Sequence, residues 1–437
     1  MNSLRESLGV AMDQFESTTC VVVGGGPAGV MLGLLLARAG LEVTVLEKHA
    51  DFLRDFRGDT VHPSTIRLLD ELGLGEGFRA LPQSKLGNFK LPTGGNEVTL
   101  IDFDRLKPPY DYVAMVPQWD LLNFLVDAAR EEPQFTIRMN TEATDLLYDD
   151  GGKVAGVAYR TWDAASGVET GTGELRATLT VACDGRSSVI RHKAGLIPRE
   201  FPVPFDTWWF RLSRRADEQE RLASIMPRFS GSDVLLSLTR KDFYQIAYIA
   251  EKGKDPQIRA EGVESFRARV ARIRPDLADR VDEIGSMDDV HLLDVKLNRI
   301  KPWHKPGLLL IGDAAHAMSP AGGVGINLAI QDAVAAAQRI ARPLLQGTLG
   351  EAELASVQKR RWFPTVVIQN MQLLIQKAVF SPAVKGQLAG PPGPLVFIAR
   401  HVPWFRKLPA LMIAFGPRPE HAPDFARRKT AATRKPA

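Results

Sequence analysis

Residues 19 to 24, TCVVVG, form an almost unbroken apolar run that predicts a strand buried on both faces. Residues 27 to 39, small and apolar, predict a helix, and LEVTVLE at 41 to 47 predicts a second parallel strand, which completes a βαβ unit. From 136 to 184 the pattern shortens to alternating strands with turns at DDGG (149 to 152) and AASG (164 to 167), and the apolar strand from Leu179 to Cys183 returns to the first sheet. Between 200 and 300 aromatic strands follow at 206 to 214, 233 to 240 and 243 to 251, with the alternation of an antiparallel sheet. Leu308 to Ile311 then resumes a buried parallel strand, and AGGVGINLAIQDAVAAAQRIARPLL predicts a long helix. The expected architecture is α/β: a Rossmann-like nucleotide-binding domain with a parallel sheet at 18–84, 118–195 and 291–345, interrupted by a mainly antiparallel substrate domain at 85–117 and 196–290. A C-terminal helical region at 346–426 follows, with flexible ends at 1–17 and 427–437.

The first strand runs into VVVGGGPAG, where Gly24, Gly26 and Gly29 are spaced as G-x-G-x-x-G and Pro27 and Ala28 open the helix. That turn lets a pyrophosphate approach a helix N-terminus. Glu47 ends the second strand, 18 residues beyond Gly29, followed by Lys48; a carboxylate there accepts hydrogen bonds from a ribose 2′-hydroxyl and repels a 2′-phosphate, so NADP fits this particular site poorly. Some 290 residues later GDAAHAMSPAGGVGIN pairs an acid, Asp313, with a second glycine-rich helix entrance. Two loops this far apart predict one long ligand held at both ends. Arg57, in the loop before the helix opened by Pro63, and Gln118, before the helix with Leu121, Leu122, Leu125 and Val126 on its apolar face, are further candidates to touch it. For Gln118, helix capping is an alternative role.

Composition narrows the class. The 437 residues are 45% hydrophobic and 24% charged, which suits an ordinary globular protein of two or three domains. Cys20 and Cys183 form neither a disulfide framework, a C-x-x-C redox pair nor a zinc quartet; no metal site is expected, and a reducing cytoplasm is. The N-terminus lacks the apolar core of a secretory signal, and no window is long and apolar enough for a membrane span. Net charge is +4, but nine Lys or Arg lie beyond residue 399 against Glu420 and Asp424, so the tail is basic and the body slightly acidic. Nucleic acid is not an expected partner.

Three fingerprints in order resemble the single-component flavoprotein aromatic hydroxylases of the para-hydroxybenzoate hydroxylase family. The first is Gly24, Gly26 and Gly29. The second, D-G-x-x-S-x-x-R, falls on Asp184, Gly185, Ser188 and Arg191. The third falls on Gly312, Asp313, Ala314, Ala315, His316, Pro320, Gly323, Gly325 and Asn327, with Asp332 and Ala333 following. The resemblance covers roughly residues 18 to 345. It implies FAD as cofactor, NADPH or NADH as electron donor, and O₂ activated as a flavin C4a-hydroperoxide that hydroxylates a small aromatic substrate. It implies that Asp313 hydrogen-bonds a ribityl hydroxyl, that the backbone from Gly323 through Ile326 to Asn327 faces the pyrimidine side of the flavin, and that Asp184 and Gly185 help form a site for FAD and the nicotinamide donor. The helix starting near Gly325 suits that role, because its positive N-terminal end favours the negative charge of reduced flavin. His316 is expected to pack rather than to catalyse, and no catalytic acid–base triad is expected.

The substrate is expected between the aromatic sheet and the flavin. Alternation puts Trp208 and Phe210 on one face with Trp209 on the other, and leaves open which face meets substrate; Trp208, Phe210 and Tyr244 are the candidate contacts for a lipophilic aromatic or polyketide-like compound. The segment from Leu395 to His421 mixes aromatic and basic residues, which suits either a peripheral membrane contact or a helical cap over the substrate domain or dimer contact. Monomer and homodimer both stay open. The alternatives to hydroxylation are a halogenase or dehydrogenase reduced by a partner, although the W-x-W-x-I-P halogenase motif is absent, and a non-catalytic flavin-binding protein.

Overall fold

The computed structural model describes residues 16–53, 60–93, 96–215, 218, 225–240, 242–387 and 393–428. Its central sheet is built around the first strand, Glu16–Val23, which pairs in parallel with Val43–Leu46 on one side and Glu169–Ala182 on the other. Phe135–Arg138 extends the sheet beyond Val43–Leu46, and Leu308–Leu310 extends it beyond Glu169–Ala182, both in parallel. The apolar run of the first strand serves two cores at once. Cys20 and Val22 pack beneath the helix Pro27–Arg38, whereas Val21 and Val23 face a second core with Trp303 and Leu310. Two antiparallel strands, Thr141–Tyr148 and Val154–Trp162, extend from Glu169–Ala182. The helix Pro27–Arg38 lies close on the sheet because Gly33 has no side chain; a Cβ there would meet the Phe135 ring at 2.7 Å.

The second sheet is antiparallel, in the order Ile225–Ser230, Asp233–Thr239, Phe243–Glu251, Phe205–Ser213, His291–Leu293. The last of these strands extends the sheet three residues past the expected boundary at 290. One face carries Trp208, Phe210, Leu212, Tyr244, Ile246 and Tyr248 and is covered by the helix Gly262–Ile273 through Phe266 and Val270. The other face carries Phe205, Trp209, Ala247 and Ile249 and looks toward the first domain.

The helices Gly325–Leu345 and Glu351–Ile375 pack on each other and the first lies against Pro27–Arg38. Beyond them, Gly393–His401 and Lys407–Ala414 close over the segment from Leu86 to Met115, with Ala410 and Ala414 buried against Leu86, Phe103 and Leu238. The chain then returns to the first domain. Ala422 N–H donates to Glu71 at 2.7 Å and Ala426 O accepts from Arg38 at 3.0 Å.

Candidate functional site

The first glycine turn depends on contacts that a side chain would forbid. Gly24 has φ +104°, and a Cβ there would lie 2.5 Å from the Cys183 carbonyl oxygen; at Gly29 it would lie 1.9 Å from the Gly24 carbonyl oxygen. A Cβ on Gly26, by contrast, would meet no atom within 4 Å, and Gly26 lines a cavity. The tight pair and the open residue together leave a cradle at the N-terminus of Pro27–Arg38, whose first turn carries no acidic side chain. Those are the conditions for an anionic pyrophosphate. Glu47 is buried beside it, its Oε2 accepting the Gly25 N–H at 2.9 Å and its Oε1 the His49 N–H at 3.0 Å. Glu47 and Lys48 line the same cavity.

The second motif is a local brace. Asp184 accepts from Ser188 Oγ at 2.5 Å and from Ile190 N–H at 3.1 Å, and Ser188 Oγ in turn accepts the Arg191 N–H. Burial pushes the Asp184 carboxyl above its ordinary value against these hydrogen bonds. The buried Arg191 guanidinium donates to Ala314 O at 3.0 Å and to Arg186 O at 2.8 Å, so it ties the Asp184 loop to the Asp313 loop. Arg186 reaches Asp313 directly, Nη2 to Oδ2 at 3.4 Å. The sequence contains both arginines, but only the folded chain shows them as the link between its second and third motifs.

The third motif divides by direction. Asp313, Pro320, Gly323, Gly325 and Ile326 line the cavity, whereas Gly29, Gly312 and Asn327 stand behind its wall. The expectation for Asn327 concerns its backbone; its side chain is a brace, its Oδ1 accepting from His62 N–H at 2.9 Å and Thr65 Oγ1 at 2.7 Å and its Nδ2 donating to Thr60 O. Gly323 has φ +61°, and a Cβ would collide with Thr60 Oγ1 at 2.5 Å, whose hydroxyl donates to the Gly323 carbonyl. His316 turns inward, 2.6 Å from Asp332 and packed on Trp303. Two buried glutamines of Glu351–Ile375 hold the loop between. Gln372 donates to Ser319 O and Ala321 O, and Gln369 donates to Ala317 O. No sequence signal marks these glutamines, since their spacing is that of any helix face.

The cavity, about 1260 Å³, runs from the glycine cradle to the antiparallel sheet. Gln118, at the first turn of its helix, and Asp184 and Gly185 also line it; Arg57 lies outside the described residues. The expected substrate contacts Trp208, Phe210 and Tyr244 do not. They face the helix Gly262–Ile273, where Tyr248 meets Phe266 edge-on, and Trp208 Nε1 donates to Asp255 of the preceding helix at 2.8 Å. Alternation leaves the choice of face open, and it is the opposite face from these three candidates that borders the cavity: Thr207, Trp209, Leu236, Leu238, Gln245 and Ala247 line it. In that apolar wall Gln245 and Arg240, both buried, form a polar end, Gln245 Oε1 accepting from Arg240 Nε at 3.0 Å and Nη2 at 2.6 Å. Phe405, Pro409 and Ile413 of the C-terminal cap close the far side. Among the described residues no cluster of His, Cys, Asp or Glu is arranged to hold a metal.

The FAD binding domain family matches residues 17–370. The 6-methylpretetramide 4-monooxygenase of Streptomyces rimosus is 35% identical, over 83% of this chain and 85% of its own length. The para-nitrophenol 4-monooxygenase of a Pseudomonas strain is 28% identical, over 72% of this chain and 75% of its own. Among solved structures, the OxyS anhydrotetracycline hydroxylase of Streptomyces rimosus superposes with a TM-score of 0.68 at 23% identity, covering 91% of this chain and 76% of that one.

Proposed function

The chain belongs to the FAD-dependent aromatic monooxygenases of the para-hydroxybenzoate hydroxylase type, and from that premise we propose that it hydroxylates a polycyclic, polyketide-like aromatic with NADPH or NADH as electron donor. The observation that carries this reading is the continuity of the cavity, which joins the dinucleotide cradle to the apolar face of the antiparallel sheet. At about 1260 Å³ it exceeds the ~300–1,000 Å³ of a pocket for one small ligand, so cofactor and substrate have room together. The names of the relatives, a pretetramide and a nitrophenol monooxygenase, support an oxygen-bearing aromatic ring.

Bound FAD supplies the redox chemistry, taking electrons from the nicotinamide and activating O₂ for insertion of one oxygen atom. The residues hold and shield it. Gly24, Gly26, Pro27 and Ala28 cradle the pyrophosphate, and Glu47, fixed by Gly25 N–H, accepts ribose hydroxyls. Asp313, steadied by Arg186, takes a ribityl hydroxyl, and Gly323, Gly325 and Ile326 bring backbone to the ring edge. The N-terminus of Gly325–Leu345, with no acid in its first turn, stabilises negative charge there. Leu236, Leu238 and Trp209 would exclude water from the side of the cavity where substrate is held. Arg240 and Gln245 orient a ring oxygen of the substrate at the polar end.

The test is anaerobic flavin reduction by NADPH and by NADH, with and without phenols, quinolones and polyketide aromatics. Reduction accelerated at least tenfold by one polycyclic compound, followed by its hydroxylation on admitting O₂, is the expected result. No reduction by either donor would replace this reading with an enzyme reduced by a partner, such as a halogenase, or a flavin-binding protein without turnover.

A further inference from the structure

Large apolar side chains are exposed together on the C-terminal cap. Phe397 is 61% exposed, Trp404 69% and Leu408 52%, with Ile398 and Leu411 also open to solvent. They sit on three consecutive elements, Gly393–His401, Pro403–Arg406 and Lys407–Ala414, all packed on the strand Asn96–Asp102. Arg406 Nε ties the first two together by donating to Ala399 O at 2.6 Å. Single exposed apolar residues are ordinary, but five within three consecutive elements are a concentration of the kind that meets a partner or a membrane.

Charge decides between occupants. The cap elements from residue 393 to 414 carry Arg400, Arg406 and Lys407 and not one Asp or Glu. A second copy of this chain meeting the face across a two-fold axis would bring the same positive charge against it. A surface of anionic lipid instead offers phosphates to the basic side chains and a headgroup boundary to the tryptophan and phenylalanine. No helix among the described residues is long and apolar enough to cross a membrane, so the contact is interfacial.

We infer that the outer face of this cap, with Phe397, Trp404 and Leu408 at its centre, docks on an anionic membrane surface. The inner side of the same cap lines the cavity through Phe405, Pro409 and Ile413. The docked face is therefore the outer wall of the cavity, and a lipophilic substrate held in the bilayer would enter beside it. That entry route rests on the hydroxylase reading; the docking does not.

The experiment is cosedimentation of the full-length holoprotein with phosphatidylcholine vesicles, with and without phosphatidylglycerol, at low and high salt, alongside light scattering for oligomeric state. Binding is expected to favour the anionic vesicles, to weaken as salt rises, and to fall about tenfold in a Trp404→Glu/Leu408→Glu variant that keeps its flavin. No binding to anionic vesicles at low salt would overturn the inference, as would equal binding to both vesicles or a variant that binds as well as the parent. A dimer that the same substitutions dissociate would assign the face to a second copy and also overturn it. Because the readout is lipid binding, a failure here leaves the reduction assay untouched, and a failure there leaves this result standing.

Discussion

In the turn after Leu310, the Asp332 carboxylate accepts from Gly312 N–H at 3.1 Å, lies 2.6 Å from His316 Nε2 and accepts from Arg361 Nε at 2.9 Å. Arg361 is wholly buried and also reaches Glu420 at 3.2 Å. Burial works against ionisation of Asp332, but the charges and hydrogen bonds of His316 and Arg361 outweigh it and hold the carboxyl below its ordinary value. Asp332→Asn leaves a buried guanidinium with half its compensation and should cost about 3–5 kcal/mol; a thermal melt followed by flavin fluorescence checks this, and an unchanged midpoint would contradict it. His62 carries the opposite kind of information. Burial presses its ring from the ordinary 6.5 down to about 4, against the hydrogen bond that its Nδ1–H donates to Ile413 O at 2.7 Å. The ring is neutral when folded, whereas the unfolded chain takes up a proton below 6.5, so its contribution is complete above that pH and is lost as pH falls from 6.5 toward 4. Melting curves across that window should show the decline, and His62→Gln should flatten it.

At the level of elements, the antiparallel sheet follows the alternation in its sequence, and both of its faces are buried. Trp208, Phe210 and Tyr244 contribute to the core under Gly262–Ile273, while Trp209, Gln245 and Ala247 border the cavity. Period two separates the faces but cannot say which one meets a ligand when each is apolar. A paired substitution tests the assignment. Gln245→Met should weaken substrate-stimulated flavin reduction by about tenfold or more through loss of the polar end, whereas Tyr244→Phe, on the helix-covered face, should leave it near the parent value. The reverse ranking would return the substrate to the face with Trp208. The helix Glu351–Ile375 shows the same limit: Gln369 and Gln372 hold the Ala317–Ala321 backbone, a role set by what lies opposite them.

Across the whole molecule, the C-terminal segment is a strap rather than a loose basic end as far as Arg428. Glu420 pairs with Arg360 and Arg361, His421 and Arg427 with Glu71, and Arg428 with Glu132. The strap draws the cap toward the nucleotide-binding domain and so helps to close the cavity. Deleting residues from Pro417 onward removes the Arg418 and Glu420 acceptors from buried Arg361 and should cost about 3 kcal/mol or more. The truncated protein is expected to melt earlier and to lose FAD on a desalting column; full flavin retention at an unchanged melting temperature would show the strap to be dispensable.

The βαβ unit, the two glycine-rich entrances and the FAD-dependent class were legible from the chain itself. They rest on short-range sterics: Gly24 sits at φ +104°, Gly29 must lack a Cβ because the Gly24 carbonyl of the same turn lies against it, and a helix entrance without acids attracts an anion through its own backbone. What tertiary structure alone decided was direction. The Asn327 side chain turned to Thr60 and Thr65, Trp209 rather than Trp208 faced the cavity, and the basic tail found Glu71 and Glu132. Each of those outcomes depends on a partner far away in sequence, and local pattern carries no record of which buried surface will be opposite.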